Sequence, residues 1–506
     1  MEKIRLLVTS DVHSYIYPHK YHDNKDAPLG LARCAGVFRK YRNNNTLILD
    51  NGDVLQGSPL SSYYMQLKDR GTHPMSIAMN LAGYDYINLG NHDFNYGQEM
   101  LHEHLSHLNM PCITANVCDE EGKPLGCEYV IHTFENGVKI ALFGLVTQYI
   151  DHWEAPEHLE HLIVKDAYET AVEIVEKIRT NEKVDYIVCL YHGGYERDLI
   201  TNEPTEKLTG ENEGSKICTI PGLDILLSGH QHRSVSAVVN GVVTTQTAQA
   251  GAEVAMVEID HEKHEITSCL IKADEEPAED ILEALKDVEE GCQKWLDTPV
   301  GHCMIDLHVN DEFEARLHKH PLITYLNKVQ SEVSEADLSG NALFIGATGF
   351  NESVTVRDLV STYIYPNTIV VKKVTGKVLK EYLEQCADYW ILKDGKIEVN
   401  PTFIWPKPAH FNYDMVDGVN YTIKVGNPVG SRITELKYQG KDVSDDMEFT
   451  LAINNYRATG GGDFDMIAEA PVVREITDDM VDVLIRYISE HPDISCDHQD
   501  NIKVII

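Results

Sequence analysis

Short runs of apolar residues recur along the first half of the chain, and polar residues follow each run at once. The first three runs are Ile4 to Thr9, Thr46 to Asp50 and Tyr86 to Leu89. Continuous apolar runs of this length are typical of strands buried on both faces of a sheet. Between them, residues 31–41 and 74–82 carry apolar side chains at helical spacing. The pattern predicts alternating strands and helices, and therefore an α/β domain.

The same pattern continues to about residue 300 and then changes. Further strands are predicted at 110–116, 138–147, 184–190 and 223–227, a β-rich region at 235–271, and helices at 166–182 and 275–296. Later strands are predicted at 341–345, 368–373, 421–425 and 448–453, and helices at 376–392 and 478–490. A helical stretch at 312–334 is interrupted at Pro321. Irregular mixing of short strands and helices favours a second domain of the α+β type.

Aspartate, histidine or asparagine follows five of the predicted strands in the first domain. These residues are Asp11, His13, Asp53, Asn91, His92, His192, His230 and His232. Ligands of open α/β sheets bind at the carboxyl ends of the strands. Any one of these turns, such as Gly90–His92, is on its own more often an ordinary polar loop. The ordered set at successive strand ends instead indicates an assembled site.

Carboxylate, amide oxygen and imidazole are the ligands that Mn, Fe, Co and Zn ions take in proteins. Two such ions roughly 3.5 to 4 Å apart need a bridging carboxylate, and together they activate a water and neutralise a phosphate. The sequence therefore predicts two divalent metal ions of this group as cofactors. Asp11, His13, Asp53, Asn91, His192, His230 and His232 are the predicted metal ligands.

Composition restricts the class of partner. The chain has 506 residues, with 43 basic and 80 acidic side chains and a formal net charge of -37. Such a surface repels nucleic-acid backbones and anionic membranes, so we expect neither as a partner. A small anionic substrate is still allowed, because bound divalent metals reverse the sign of the charge locally.

The expected location is the cytoplasm. The first residues run directly into a predicted strand and do not form a secretory signal peptide. No uninterrupted apolar run reaches membrane-spanning length. Eleven scattered cysteines favour reduced thiols over a disulfide framework.

Five blocks of sequence resemble the metal-binding blocks of the calcineurin-like metallophosphoesterases. They are Asp11-Val12-His13, Gly52-Asp53, Gly90-Asn91-His92-Asp93, His192-Gly193 and Gly229-His230-Gln231-His232. The longer phrases from Asp50 to Gly57 and from Asn91 to Gly97 resemble the 5′-nucleotidase family. The likeness is strongest to the branch called 2′,3′-cyclic-nucleotide 2′-phosphodiesterase/3′-nucleotidase.

The resemblance implies a four-layer α/β/β/α metal domain followed by a smaller α+β domain that binds the nucleoside. We accordingly expect a phosphoesterase domain at 1–300, a linker and hinge helix at 301–335, and a substrate-binding domain at 336–506. One metal would take Asp11, His13, Asp53 and His232, and the other Asp53, Asn91, His192 and His230. In this assignment Asp53 bridges the two ions, and a metal-bound hydroxide attacks phosphorus in line.

His92 and Asn95 are the catalytic residues that the resemblance implies. His92 matches the residue that stabilises the transferring phosphoryl group or helps the leaving oxygen depart. Many 5′-nucleotidases have Asp where this chain has Asn95, and the cyclic-phosphodiesterase branch resembles this chain in having Asn there. An amide can hold an imidazole by hydrogen bonding but cannot stabilise imidazolium as a carboxylate does.

The resemblance also implies a nucleoside site in the second domain. The family sandwiches the base between two aromatic rings, and the matching positions are Phe411 and Tyr456. Asn412 would contact a base edge and Asp463 a ribose hydroxyl. From the residues alone, either aromatic is more often a core side chain. The oligomeric state is left open.

One family feature is missing from this chain. In 5′-nucleotidases the segment matching Phe344–Phe350 contains an Arg that helps bind the substrate, and here it has none. Arg357 and Arg457 are the nearest cationic candidates. We therefore predict hydrolysis of nucleotide phosphoesters with preference for 2′,3′-cyclic nucleotides and 3′-nucleotides. A 5′-nucleotidase or nucleotide-sugar hydrolase is the alternative, and an inactive nucleotide-binding protein is a third reading.

Overall fold

The computed structural model describes residues 3–206, 208–365, 367–476, 478–497 and 500–506. The chain divides into two compact units, 1–292 and 293–506. The predicted limits at 300 and 335 remain predictions. Within the described ranges, no helix is both long enough and apolar enough to cross a membrane.

Strands and helices are interspersed in the first unit up to residue 192, and strands predominate between residues 225 and 272. Its strands are β1 (Ile4–Thr9), β2 (Thr46–Asp50), β3 (Tyr86–Ile87), β4 (Val117–Asp119), β5 (Val130–Thr133), β6 (Lys139–Val146), β7 (Leu162–Val164), β8 (Tyr186–His192), β9 (Ile225–Ser228), β10 (Val235–Val239), β11 (Val242–Gln246), β12 (Glu253–Asp260) and β13 (Glu265–Lys272). Its helices are α1 (Leu31–Tyr41), α2 (Pro59–Gln66), α3 (Pro74–Ala82), α4 (Gly97–His107), α5 (Ala167–Asn181), α6 (Gly214–Ile217) and α7 (Glu279–Ala284), and α8 (Lys286–Leu296) crosses the limit at 292.

Two sheets face each other in this unit. One has the strand order β13-β12-β1-β2-β3 and the other β10-β11-β9-β8-β6-β5. Alternate side chains of each strand point inward, so Leu6 and Leu49 of the first sheet share a core with Val188 and Leu227 of the second. All four side chains are buried.

Helices cover the outer faces. The opposite side chains of the second sheet, such as Phe143 and Cys189, pack against Ile174 and Ile178 of α5. On the first sheet, α1 packs against β12 and against α3. The prediction of a four-layer α/β/β/α domain is confirmed.

The parallel strands bring their carboxyl ends to one edge of each sheet. β1, β2 and β3 are parallel neighbours, and so are β6, β8 and β9. The prediction of a strand at 110–116 is wrong, because this segment makes only isolated bridges, such as Ile87 with Cys112 and Thr114 with Gly144. Pro111 has no backbone N–H to donate to a continuous ladder there.

The second unit mixes short strands and helices. Its strands are β14 (Pro299–Cys303), β15 (Leu338–Ala342), β16 (Ser353–Thr355), β17 (Ile369–Thr375), β18 (Trp390–Lys393), β19 (Lys396–Val399), β20 (Asp414–Asp417), β21 (Val419–Lys424), β22 (Ile433–Tyr438), β23 (Lys441–Asp442), β24 (Glu448–Asn454), β25 (Val472–Ile476), β26 (Asp493–Ile494) and β27 (Ile502–Ile505). Its helices are α9 (Glu312–Leu317), α10 (Pro321–Ser334), α11 (Val356–Thr362), α12 (Gly376–Ala387), α13 (Asn455–Ala458), α14 (Asp465–Ala468) and α15 (Met480–Glu490).

A five-stranded sheet of order β20-β15-β24-β17-β25 forms the centre of this unit. Helix α10 packs on β15, and Leu326 of α10 shares the core with Leu338 and Leu451. Pro321 is the first residue of α10, where its missing N–H costs nothing. The predicted helix at 376–392 ends earlier, at Ala387, because Trp390–Lys393 pairs with Lys396–Val399 as a hairpin.

Candidate functional site

Five strand ends of the first unit supply the side chains that the sequence singled out. Asp11 and His13 follow β1, Asp53 follows β2, Asn91 and His92 follow β3, His192 ends β8, and His230 and His232 follow β9. Apart from His92 and His232, which are partly exposed, these side chains are buried. The two facing sheets therefore deliver their polar strand ends to one place.

Asp11, His13 and His232 form the first group of donor atoms, and these atoms all lie within 4.8 Å of one another. The Nε2 atoms of His13 and His232 are 3.1 Å apart. His232 Nε2 lies 3.4 Å from Asp11 Oδ1. His13 Nδ1 donates to the carbonyl of Gln56 at 2.9 Å, so its Nε2 carries a lone pair directed at the group.

Asp11, Asp53 and His192 form a second group of the same size. His192 Nδ1 donates to the carbonyl of Asn51 at 2.7 Å, which leaves the Nε2 lone pair facing Asp53 Oδ2 at 3.1 Å. In the part of the chain that the structure describes, neither of these buried atoms has a hydrogen-bond partner of good geometry. Two acceptors that face each other in a buried site call for a cation between them.

Asn91 and His230 adjoin the second group. His230 Nδ1 lies 2.9 Å from Asn91 Oδ1, and the rings of His230 and His192 have centroids 5.8 Å apart. On its other side, His230 Nε2 lies 3.0 Å from Glu211 Oε1. A carboxylate in this position orients an imidazole and fixes its tautomer, as carboxylates do behind metal-binding histidines.

Backbone conformation sets this site apart from the rest of the fold. Five of the predicted ligands have φ in the left-handed region: Asp11 at 57°, His13 at 51°, Asp53 at 59°, His230 at 70° and His232 at 56°. Left-handed non-glycine residues cost on the order of 1 to 3 kcal/mol each and cluster at functional sites. The strand ends are thus held in a conformation that packing alone does not favour.

Gly90 lets three loops approach one another. A Cβ atom built on Gly90 would lie 2.2 Å from Asp53 Oδ1 and 2.7 Å from His192 Cε1. Asp93 then ties two of the loops together, because its carboxylate accepts from the N–H groups of Gly90, Asp53, Val54 and Leu55 at 2.8 to 3.0 Å.

Electrostatics favour a cation at the centre of the site. Burial alone raises the pKa of the Asp53 carboxyl, but the neighbouring His192 and His92 outweigh it and hold this pKa well below its usual range. Burial lowers the pKa of His192, whereas Asp53 and Asp11 together raise it to about 10. The carboxylates are therefore ionised, and a cation at this place would balance their charge.

His92 lies at the edge of the first group. Its ring packs edge-to-face on His13 with centroids 5.3 Å apart, and its backbone N–H donates to Asp53 Oδ1 at 2.7 Å. The Nδ1 atom of His92 contacts Asn95 Oδ1 at 2.7 Å. The structure thus brings the two predicted catalytic residues into direct contact.

Comparison with known proteins assigns both units to families. Residues 4–234 match the calcineurin-like phosphoesterase family, and residues 299–469 match the 5′-nucleotidase C-terminal domain. A solved structure from Staphylococcus aureus, classed as a 5′-nucleotidase, is 34% identical with a TM-score of 0.94 and full coverage of both chains. The chain belongs to the 5′-nucleotidase family of calcineurin-like phosphoesterases. It is a metallophosphoesterase and a phosphoester hydrolase.

Relatives differ in length and in name. The 2′,3′-cyclic-nucleotide 2′-phosphodiesterase/3′-nucleotidase of Salmonella typhimurium is 28% identical over 90% of this chain and 81% of its own. The trifunctional nucleotide phosphoesterase protein of Bacillus subtilis is 27% identical over 99% of this chain and 39% of its own. The chain thus spans well under half the length of the Bacillus relative.

Calcineurin-like phosphoesterases use divalent metal ions, and the donor set here suits such ions. Carboxylate oxygens and neutral imidazole nitrogens are the ligands that these metals take. Among the described residues, Asp53 Oδ2 and His192 Nε2 have no hydrogen-bond partner, so they are the atoms that a cation would satisfy. Asp53 Oδ2 also lies 3.9 Å from His13 Nε2, so it is within reach of both groups.

The predicted nucleoside residues of this metallophosphoesterase gather at one place in the second unit. Phe411 and Tyr456 pack edge-to-face with centroids 5.9 Å apart and an interplanar angle of 80°. The side chain of Asn412 lies over Gly462, and Asp463 is an exposed residue with a φ of 65°. Two rings in this arrangement leave no gap for a base, so a sandwich requires one ring to rotate.

Neither cationic candidate is arranged as a clamp for the substrate. Arg457 is fully buried, where it donates to Asp414 Oδ2 at 2.6 Å and to Asn412 Oδ1 at 3.2 Å. Arg357 donates to Asp297 at 2.7 Å and to Gln293 at 2.8 Å. Arg457 instead holds Asn412 with its carboxamide oxygen turned inward.

Three residues near the site were missed in the sequence. Trp153 stacks on His230 with ring centroids 5.3 Å apart and an interplanar angle of 19°. Glu154 contacts Asn95, and Glu211 contacts His230. All three lie in loops without hydrophobic periodicity, so no sequence pattern distinguishes them from surface residues.

Proposed function

We propose that this chain hydrolyses nucleotide phosphoesters with two divalent metal ions and prefers 2′,3′-cyclic nucleotides and 3′-nucleotides. The observation that carries the proposal is the pair of adjoining donor groups, both within reach of Asp53 Oδ2, with His92 packed against one of them. Asp11, His13, Asp53 and His232 would hold one ion, and Asp53, Asn91, His192 and His230 the other. When bound, such ions supply Lewis acidity and lower the pKa of a bound water.

His92 is the proposed acid–base residue. Because Asn95 Oδ1 accepts at Nδ1, the hydrogen of the neutral ring is on Nδ1 and the free atom is Nε2. Nε2 is then the atom that takes up a proton, and once protonated it donates to the phosphoryl oxygen or passes that proton to the leaving oxygen. Such proton transfers contribute roughly 100- to 10,000-fold to rate.

The nucleoside residues support a nucleotide as the substrate. Phe411 and Tyr456 would stack on the base, which contributes roughly 1 to 3 kcal/mol and accepts any base. The carboxamide oxygen of Asn412 accepts from Arg457, so its Nδ2 is the atom offered to an acceptor on the base edge. Asp463 would accept from a ribose hydroxyl.

Two features support the preference for cyclic and 3′-phosphates. Three relatives named 2′,3′-cyclic-nucleotide 2′-phosphodiesterase/3′-nucleotidase match 90 to 96% of the chain at 26 to 28% identity. Asn95 and the lack of an Arg in residues 344–350 are departures from the 5′-nucleotidase pattern. A 5′-nucleotidase is the second candidate, favoured by the Staphylococcus aureus structure at 34% identity.

A substrate panel tests the proposal. The purified chain is loaded in turn with Mn, Zn, Fe or Co, and kcat/KM is measured for 2′,3′-cyclic AMP, 3′-AMP and 5′-AMP. We expect 2′,3′-cyclic AMP and 3′-AMP to be the better substrates. Faster turnover of 5′-AMP supports the second candidate, and turnover of none of the three contradicts the proposal.

Asp53→Asn examines the role of the donor groups in the same assay. We expect no measurable turnover, because the substitution removes a charge from between the two groups. Asp280→Asn is the matched control, since Asp280 is half exposed and pairs with Arg39 on the surface. Activity retained by Asp53→Asn, with metal content unchanged, contradicts the assigned bridge.

A further inference from the structure

The segment after β6 contacts the site with two consecutive residues, one beside His230 and the other beside Asn95. It contains two short 3-10 helices, Gln148–His152 and Pro156–His158. Between them, Trp153 stacks on His230, and Glu154 turns toward Asn95. Neither residue belongs to the sequence blocks that carry the family resemblance.

Glu154 is a nearly buried carboxylate with three protein contacts. Its side chain is 7% exposed. Oε2 accepts from Asn95 Nδ2 at 2.6 Å, and Oε1 accepts from the backbone N–H of Ala155 at 3.0 Å. His158 Nδ1 lies 2.8 Å from the same Oε1 atom and donates to it. A buried carboxylate is retained only when it is well paired, so these contacts hold its position closely.

The contact with Glu154 decides which end of the Asn95 amide faces His92. A carboxamide can turn by 180° and present either its oxygen or its NH₂ group to a neighbour. An ionised carboxylate only accepts, so the Asn95 nitrogen must face Glu154. The Asn95 oxygen must then face His92, at 2.7 Å, and the hydrogen of the His92 ring must be on Nδ1.

We propose that Glu154 is a positioning residue for His92 and acts through the amide of Asn95. The inference rests on the proposed function, in which His92 uses Nε2 toward the substrate. An Asp at position 95 would place its negative charge directly on the His92 ring. Here Glu154 supplies the negative charge, and the Asn95 amide lies between it and the ring. The chain of hydrogen bonds polarises the amide and strengthens its contact with the imidazole.

Exchanging the carboxylate of Glu154 and the amide of Asn95, first singly and then together, tests the proposal. In Glu154→Gln the new amide can accept from or donate to Asn95, so both orientations of Asn95 become available. We expect kcat for 2′,3′-cyclic AMP to fall about 10- to 100-fold, as when an outer-shell partner of a metal-binding histidine is lost, with KM changed less than about twofold. Asn95→Asp places two carboxylates in contact, and kcat should fall to a similar extent.

The double variant Glu154→Gln/Asn95→Asp restores one amide and one carboxylate. The carboxylate at position 95 then accepts from His92 and from the amide at position 154. We expect kcat to recover at least about fivefold relative to either single variant, since residues in one hydrogen-bond network are not additive. A double variant no faster than the slower single variant overturns the proposal, as does Glu154→Gln with kcat within about twofold of wild type.

Glu157→Gln is the matched control. Glu157 is an exposed residue of the same segment, and the substitution makes the same change of charge three residues away. We expect kcat and the melting temperature of this variant to equal those of wild type. Equal losses of kcat in Glu157→Gln and Glu154→Gln would overturn the proposal, because they would show an effect of charge in the segment alone.

A second readout does not depend on turnover. The ¹⁵N chemical shifts of the His92 ring in the metal-free full chain, assigned with His92→Gln, report which nitrogen carries the hydrogen. We expect Nδ1–H in wild type and a mixture of both tautomers in Glu154→Gln. Unchanged shifts in Glu154→Gln contradict the inference even if the substrate panel fails, so the two failures can be told apart.

Discussion

Aspartate has three different roles within the first unit. Asp11 and Asp53 face the histidines of the donor groups, and their ionised state favours a bound cation. Asp93 accepts from backbone N–H groups and joins the loops after β2 and β3. Asp50 lies below the site, 1% exposed, and accepts from Thr9 Oγ1 at 2.6 Å. The environment, and not the residue type, decides which role each carboxyl has.

Asp50 makes the stability of the protein depend on pH. Burial raises the pKa of its carboxyl from 3.8 to about 8. The folded state therefore binds the proton more tightly than the unfolded chain does, and this contribution to stability is complete below pH 4 and is lost as the pH rises through 8. Asp50→Asn keeps the shape of the side chain and removes the titration.

The measurement is urea unfolding of both proteins between pH 5 and 8. We expect the free energy of unfolding of wild type to fall relative to Asp50→Asn by about 3 to 4 kcal/mol over this range. Asp280→Asn should follow wild type, because its contact with Arg39 lowers the pKa of Asp280 and moves its titration to more acid pH. A constant difference between wild type and Asp50→Asn contradicts the assigned pKa.

At the scale of elements, the strand ends and the turns that follow them make the site. Each sheet contributes parallel strands whose carboxyl ends lie side by side. The turns after β1, β2 and β9 then direct imidazole and carboxylate groups inward from residues in the left-handed region. Close approach of the turns depends on small residues where they touch. Gly90, after β3, lies so close to Asp53 that an added Cβ atom would overlap the Asp53 carboxylate.

Gly90→Ala should disable the donor groups without unfolding the first unit. Its backbone φ of -110° is open to any residue, so the effect is steric and arises from the 2.2 Å approach to Asp53 Oδ1. We expect metal affinity, measured by isothermal titration calorimetry with Mn or Zn, to fall more than about tenfold. Gly71→Ala is the control, since an added Cβ there meets nothing within 4 Å. Equal affinities in the two variants contradict the steric argument.

The elements that position the site could largely be predicted from the sequence. The strands Ile4–Thr9 and Thr46–Asp50 and the helix Leu31–Tyr41 have the predicted bounds, because strands buried on both faces and amphipathic helices leave clear periodic patterns. The strand predicted at 86–89 is shorter, Tyr86–Ile87, and the side chain of Asn88 after it donates to Asn51 Oδ1 and to the carbonyl of Leu145 in β6.

Contacts between distant loops could not be predicted in this way. Asn95 and Glu154 are 59 residues apart, and Trp153 and His230 are 77 residues apart. Nothing in a single sequence records such a pairing, since loop residues lack periodicity and their conformation depends on the strands that carry them. The same holds for the ring geometry of Phe411 and Tyr456, which depends on side-chain packing in the free protein.

At the scale of the whole molecule, bound ions should stabilise one unit and not the other. The donor groups lie entirely within residues 11–232 of the first unit. An ion that binds only the folded state adds about 2.7 kcal/mol at 100 times its dissociation constant. It also offsets the electrostatic repulsion between Asp11 and Asp53.

Chelation measures this effect. We expect EDTA to lower the melting temperature of the first unit and to accelerate hydrogen exchange in β1, β2, β8 and β9, while exchange in β15, β17 and β24 of the second unit is unchanged. Asp53→Asn serves as the control, because its melting temperature should respond little to EDTA. An identical shift in the wild type and in Asp53→Asn contradicts ion binding at these groups.

The wide spacing of the donor residues along the chain also sets an order of events during synthesis. Asp11 leaves the ribosome 221 residues before His232, an interval that takes on the order of 10 to 40 s at typical rates of translation. Through this interval β1 has β2 as a neighbour but lacks β12, its partner on the other side. The nascent chain therefore exposes an apolar strand edge and an incomplete set of ligands until residue 260 has emerged. We therefore expect the complete set of donors to capture metal only after residue 232 has emerged.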